Sequence, residues 1–332
     1  MDKQHLPRHS AGSFELKEGT GPITAMISYD GFVEMYKVDK TFHVQSPKGI
    51  DPDETNSNAP WVMTPISDVG SSNPIIARVL LQSRDILDGA CFKHEVDKKE
   101  VLGHLYECKE NLLACQKISN EISQEIDNIL SKTQSEGIKT QRNDRGISSF
   151  PHVQELKTKC HTFLIKANLA IQNICALAST ILKLQKRDKN FDHLTITLQP
   201  IFSENTDIQK FIIANQSNIK GIIDLRNFLE HPDNKNNKTT MIENFRLTPD
   251  SKITVPIWYV TGNDPYPIKE GMGEIVTYLL ETAEIMLIQL VMATVKKEIP
   301  YVIVRIKESE INPNAPIIYR LSLDTGKLDI PK

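Results

Sequence analysis

Six consecutive residues, Arg226-Asn227-Phe228-Leu229-Glu230-His231, combine side-chain types that do chemistry on anions. A guanidinium offers a fixed fork of donors that matches phosphate or carboxylate oxygens. An imidazole gains and loses a proton near neutral pH, so His231 suits general acid or base work. Asn227 can position either group, and Glu230 is a ready counter-ion. The spacing says more than the residue types. On a helical wheel with Ile208 at zero, Phe211, Ile212, Ile219, Ile222, Ile223 and Leu229 fall within roughly 60° of zero, and Arg226 falls close to zero itself, at the centre of that apolar stripe. A charge there is costly unless something pairs with it. Three partners are open: Glu230, four residues on; Glu284, toward the polar edge of the apolar face of the next long helix; or a ligand entering a cleft. In the first two cases Arg226 is a structural ion pair, and His231 is an ordinary helix C-terminal residue favoured by the helix dipole.

The elements that must hold this segment are mostly helical. Helices are expected over about 73–88, 96–132, 151–186, 206–230 and 268–297. The first opens on Asn73-Pro74, a capping residue followed by proline at the first helical position. The second carries Val101, Leu105, Leu112, Ile118, Ile122, Ile126 and Ile129 at roughly helical spacing. Pro232 ends the fourth, because its ring cannot continue the hydrogen-bond ladder. Strands are expected at 25–29, 32–38 and 41–44, with Asp30-Gly31 as a hairpin turn, and again at 245–247, 253–260, 301–306 and 317–323. Residues 48–73 read as a connecting loop, 133–149 as a polar linker and 194–198 as a short extended piece. The fold class is therefore mainly α. A β-rich segment spans 1–72, a helical bundle spans 73–297 with a hairpin insertion near 241–262, and a C-terminal hairpin spans 298–332. The N- and C-terminal strands are expected to pair in one sheet, since unpaired edges are a liability.

In the pattern Arg, Asn, three residues, His, the stretch Arg226–His231 resembles the signature of the HEPN superfamily. Leu225 to about Val291 also resembles regions of uncharacterised bacterial proteins that carry a similar Leu-Arg-Asn-x-x-Glu-His-Pro segment. The resemblance implies a compact helical bundle that often dimerises. It implies one of two functions: a metal-independent endoribonuclease of toxin or defence type, or a catalytically silent module that binds a nucleotide, RNA or protein partner. In the first, RNA is cleaved by attack of its own 2′-hydroxyl on the adjacent phosphate. His231 then moves the proton, Arg226 holds the phosphate and Asn227 positions one or the other, while Glu230 and Glu284 support. A homodimer would bring two such sites together.

The remaining residues narrow the classes. The net charge of −3 excludes a whole-protein basic field for nucleic acid. The basic runs Lys139–Arg145 and Lys183–Lys189 are interleaved with acids or amides and read first as solvated surface. Trp258, Tyr259 and Tyr266 can stack on a base, or simply cover the bundle. Five cysteines, all in or beside helices, suit reduced thiols in a cytoplasmic protein. A zinc site drawn from His104, Cys108, Cys115, Cys160 and His161 matches no compact spacing, so no metal is expected. No phosphate-binding glycine loop and no nucleophile elbow is present, so no cofactor is expected. Residues 1–12 are polar and show no secretion signal. The longest apolar stretch, Ile285–Val295, is too short to span a bilayer, so no membrane partner is expected.

Overall fold

The computed structural model describes residues 16–29, 32–137, 150–185, 188–202, 206–233, 236–250, 252–324 and 326. The expected turn at Asp30-Gly31, the basic run Lys139–Arg145 and residues 1–12 lie outside these. About 51% of the chain is helix and 17% is strand in small sheets, so helix predominates as expected but in a mixed helix-and-sheet protein. It divides into two compact units, Met1–Lys93 with Val295–Lys332, and His94–Thr294. The helical stretch expected to open the bundle near residue 73 therefore groups with the terminal strands.

The first unit holds a four-stranded antiparallel meander: β1 Ala25–Tyr29, β2 Phe32–Tyr36, β3 Thr41–Gln45 and β4 Val62–Ser67. Met35, Phe42 and Val44 form its buried centre, with Leu16, Val33 and Met63 against them. The expected loop over 48–73 thus contains a strand, preceded by a short helix, α1 Pro47–Ile50. Its composition hides it. β4 is an edge strand with mostly exposed side chains, and it carries Pro65, which only an edge tolerates. Gly70 is needed nearby, because a Cβ there would stand 2.2 Å from the Lys37 carbonyl oxygen. Asn73 caps the next element as expected, its Oδ1 accepting from the Ile75 N–H at 2.8 Å. That element begins as a π-helix, Ile75–Gln82, and continues as α2 Ser83–Gly89.

Among the described residues, the C-terminal strands, β10 Tyr301–Arg305 and β11 Tyr319–Leu323, pair only with each other, not with the N-terminal sheet as expected. The Gln82 side chain occupies amides that an added strand would need. Its Oε1 accepts from the N–H groups of Ile318 and Tyr319 at 2.8 and 2.7 Å.

The second unit is built on α3 Lys98–Glu136, α4 Leu156–Ile181, α5 Phe191–Leu198, α6 Asp207–Glu230 and α7 Ile268–Thr294. Asp97 caps α3 by accepting from the Glu100 N–H at 3.0 Å. Val101, Leu105, Leu112, Ile122 and Ile126 turn inward from it. α4 and α7 are each long and apolar enough to cross a bilayer, but 67% and 61% of their most apolar windows is buried among the other elements. They form the middle of the core. The expected extended piece at 194–198 is instead the helix α5. Asn190 caps it through a bond from the His193 N–H at 2.9 Å. Phe191, Leu194 and Leu198 are buried, whereas Ile196 is 69% exposed. The alternation of Leu and Thr looks like a strand, but the buried spacing of three and four is helical.

Between α6 and α7 the chain forms more than one hairpin. β5 Thr240–Glu243, β8 Ile257–Val260 and β9 Tyr266–Pro267 make a three-stranded sheet, and β6 Arg246–Leu247 pairs with β7 Ile253–Thr254 beyond it.

Candidate functional site

Pro232 ends α6, and His231 takes the capping position, its N–H donating to the Asn227 carbonyl at 2.7 Å. One turn earlier, Arg226 forms an ion pair through Nη2 with Glu230 Oε2. Its Nη1 donates to Asn227 Oδ1 at 3.1 Å, and its Nε is buried without a partner. The arginine side chain is 29% exposed, in keeping with a charge near the apolar stripe. Glu230 thus takes the role for which Glu284 was the other candidate. Glu284 lies on α7 and is only 2% exposed.

Glu230 also serves a residue that the sequence did not single out for this site. His161, on α4, places Nε2 3.0 Å from Glu230 Oε1. The His161 side chain is 43% exposed, and that of His231 is 80% exposed with its Nε2 3.8 Å from Glu230 Oε2. The structure therefore brings Arg226, Asn227, Glu230 and His231 together, adds His161 and leaves the carboxylate in the middle. Its neighbour Cys160 is fully buried, which sets His161 at the edge of the buried side of α4, but that burial is visible only in the fold.

The zinc candidates do not converge. Among the described residues no group of three or more His, Cys, Asp or Glu is placed to hold a metal ion. Cys108, Cys115 and Cys160 are packed in the core, where burial pushes each thiol up to about 12.

Another face of α6 lines an open cavity of about 770 Å³, bounded also by α7 and the three-stranded sheet. Gly271 sets its geometry. A Cβ there would lie 2.9 Å from Trp258 Nε1 and 3.1 Å from Tyr266 Cδ1, so only glycine lets α7 approach the sheet this closely. Trp258 is buried and packs on Phe163, with ring centroids 6.0 Å apart. Tyr266 stands at the rim, where its hydroxyl donates to Glu274 Oε1 at 2.7 Å. That bond, with some burial, raises the phenol above its ordinary value. Tyr278 donates to Asn215 Oδ1 at 2.8 Å, and burial raises its phenol too. Tyr259 donates to Glu243 Oε1 at 2.8 Å, a carboxylate already paired with Arg246 at 2.7 Å.

The charges around this cavity are unbalanced. Among the described residues, neither Asp264 nor Glu274 has a cationic partner within 4.0 Å. Asp224 has only Lys220, at 3.9 Å. The one lysine in the lining, Lys238, is tied to the Thr261 carbonyl at 3.1 Å. The aromatic residues noticed in the sequence, Trp258, Tyr259 and Tyr266, all belong to this lining. The carboxylates among them were not noticed, because they come from α6, α7 and the turn before β9 and meet only in the fold.

No protein-family model, no curated protein and no solved structure matches the chain.

Proposed function

We propose that this chain is a HEPN-like helical module that works by binding rather than by cleaving. Its binding site is the cavity between α6, α7 and the three-stranded sheet. The observation that carries this reading is Glu230. Its carboxylate already fills the place beside Arg226 that a phosphate would take, and it engages His161 with its other oxygen. An incoming phosphate would face a negative charge and would have to break a charge-assisted bond to reach the guanidinium. Arg226 then belongs to a structural ion pair within the last turn of α6, whose carboxylate also meets His161 on α4.

One observation favours a ribonuclease instead. Two imidazoles, His161 and His231, flank the same carboxylate and both reach solvent. One would accept the proton of an RNA 2′-hydroxyl as that oxygen attacks phosphorus, and the other would protonate the departing 5′-oxygen. Arg226 would stabilise charge on the phosphorane-like state once Glu230 moved aside.

Incubating RNA with the wild type, His231→Ala and His161→Ala separates the two. The binding reading expects no cleavage above background in all three. Cleavage by the wild type that both variants lose, with circular dichroism unchanged, would replace it with the ribonuclease.

A further inference from the structure

The cavity combines a large aromatic lining with carboxylates that lack counter-ions, and the two features select the same kind of guest. Aromatic faces carry negative charge density and attract cations, with the effect strongest where the cation is desolvated. Asp264 and Glu274 are exposed acids of the lining without an ion-pair partner, and both would attract a cation held in the cavity. A nucleotide or RNA phosphate would meet Asp264 and Glu274 with only Lys238 to offset them, and Lys238 is held by a backbone carbonyl. An uncharged planar ligand would stack, but it would supply no charge to either acid.

We propose that the cavity binds a small organic cation, an alkylammonium whose positive head sits against Tyr266, Tyr259 and Phe228 within reach of Glu274 and Asp264. This rests on the reading of the cavity as the binding site. The Tyr266–Glu274 bond holds the ring and the acid together at the rim. It uses one oxygen of Glu274 and leaves the other to face the ammonium. Trp258, fixed against Phe163 and Gly271, forms a rigid wall behind, so little order has to be created when the guest arrives.

The test is calorimetric titration of the full chain with choline and with 3,3-dimethylbutan-1-ol, its neutral carbon isostere, followed by adenosine monophosphate. Choline is expected to bind, with the isostere weaker by about tenfold or more. Glu274→Gln and Tyr266→Ala should each weaken choline by about tenfold without moving the thermal midpoint, since both residues are exposed at the rim. Equal affinity for choline and the isostere would overturn the cation but leave the cavity as a site. Choline binding that both variants retain in full would overturn its placement there. Binding of adenosine monophosphate in preference to choline would overturn the ligand class. Binding of none of the three would overturn the proposal and the cavity reading together.

Discussion

Two groups of charges lie in the helical unit, and they have opposite fates. At the end of α6, Arg226, Asn227, Glu230 and His161 answer one another's charges, leaving only the Arg226 Nε without a partner. At the cavity, Asp264 and Glu274 stand among aromatic rings and, among the described residues, neither forms an ion pair. The first group catches the eye in a sequence because an arginine interrupts an apolar stripe. The second has no such pattern, as its members come from distant segments. A conspicuous charge that has found its partner is a stability feature. An inconspicuous one set beside aromatic rings is what a cationic ligand would meet.

The contrast can be broken at several points. The largest effect is expected at the cavity wall. Trp258→Ala should cost about 3–5 kcal/mol, as for other large buried aromatic side chains, and urea unfolding would show it. A small loss there would mean that the wall is soft and the cavity not preformed. Next come the two carboxylates. Glu230→Ala leaves a partly buried guanidinium without its counter-ion and should cost about 1–3 kcal/mol. Glu274→Ala should stay within about 0.5 kcal/mol. Similar costs in the same unfolding measurement would erase the distinction between a satisfied and an unsatisfied site.

A smaller effect should appear with pH. Glu125 resembles Glu230 in having its cation, with Lys159 Nζ at 2.9 Å. Partial burial pushes its carboxyl up, but the bonds from Lys159 and the Gln154 N–H outweigh that and hold it below the ordinary value of 4.5. A carboxyl depressed in the folded state adds stability above its unfolded value, and that stability is lost as pH falls through the folded one. The loss should therefore fall below about pH 4.5, and Glu125→Gln should flatten the acid limb of the stability curve there. An unchanged limb would mean that the pair forms equally in the unfolded chain. The smallest effect concerns the thiols. Cys91 is exposed, so it should react with a maleimide in the native protein, while Cys108, Cys115 and Cys160 react only after unfolding. Rapid native labelling of Cys115 would show that the helical core opens more easily than its packing suggests.

Much of the helical unit was legible. The stop at Pro232 is local chemistry, and long apolar periodicity needs no tertiary information. What failed, failed where a local signal was ambiguous or absent. Leu194 to Leu198 alternates like a strand, but Asn190 upstream and the burial of Phe191 make it a helix. β4 was missed because an edge strand keeps exposed side chains and tolerates Pro65. The pairing of terminal strands was misjudged because a single side chain, Gln82, replaces the neighbour that an edge would otherwise seek. Arg226 was found by the wheel, and Glu230 was named beside it. His161 was seen only as half of a zinc idea, since its partner is 69 residues away.

The link from Gln82 to Ile318 joins positions 236 residues apart. On a ribosome that adds about 5–20 residues each second, that glutamine waits roughly 10–50 seconds for its partner to be made. The helical unit is continuous in sequence, and all of its residues are synthesised within that interval. The antiparallel bridge between Phe92 and Val295, with the bond from the Lys296 N–H to the Cys91 carbonyl at 2.8 Å, then joins the two strands of chain that lead into and out of it. The order of assembly is thereby written into the topology: the inserted unit matures first, and the split one closes last.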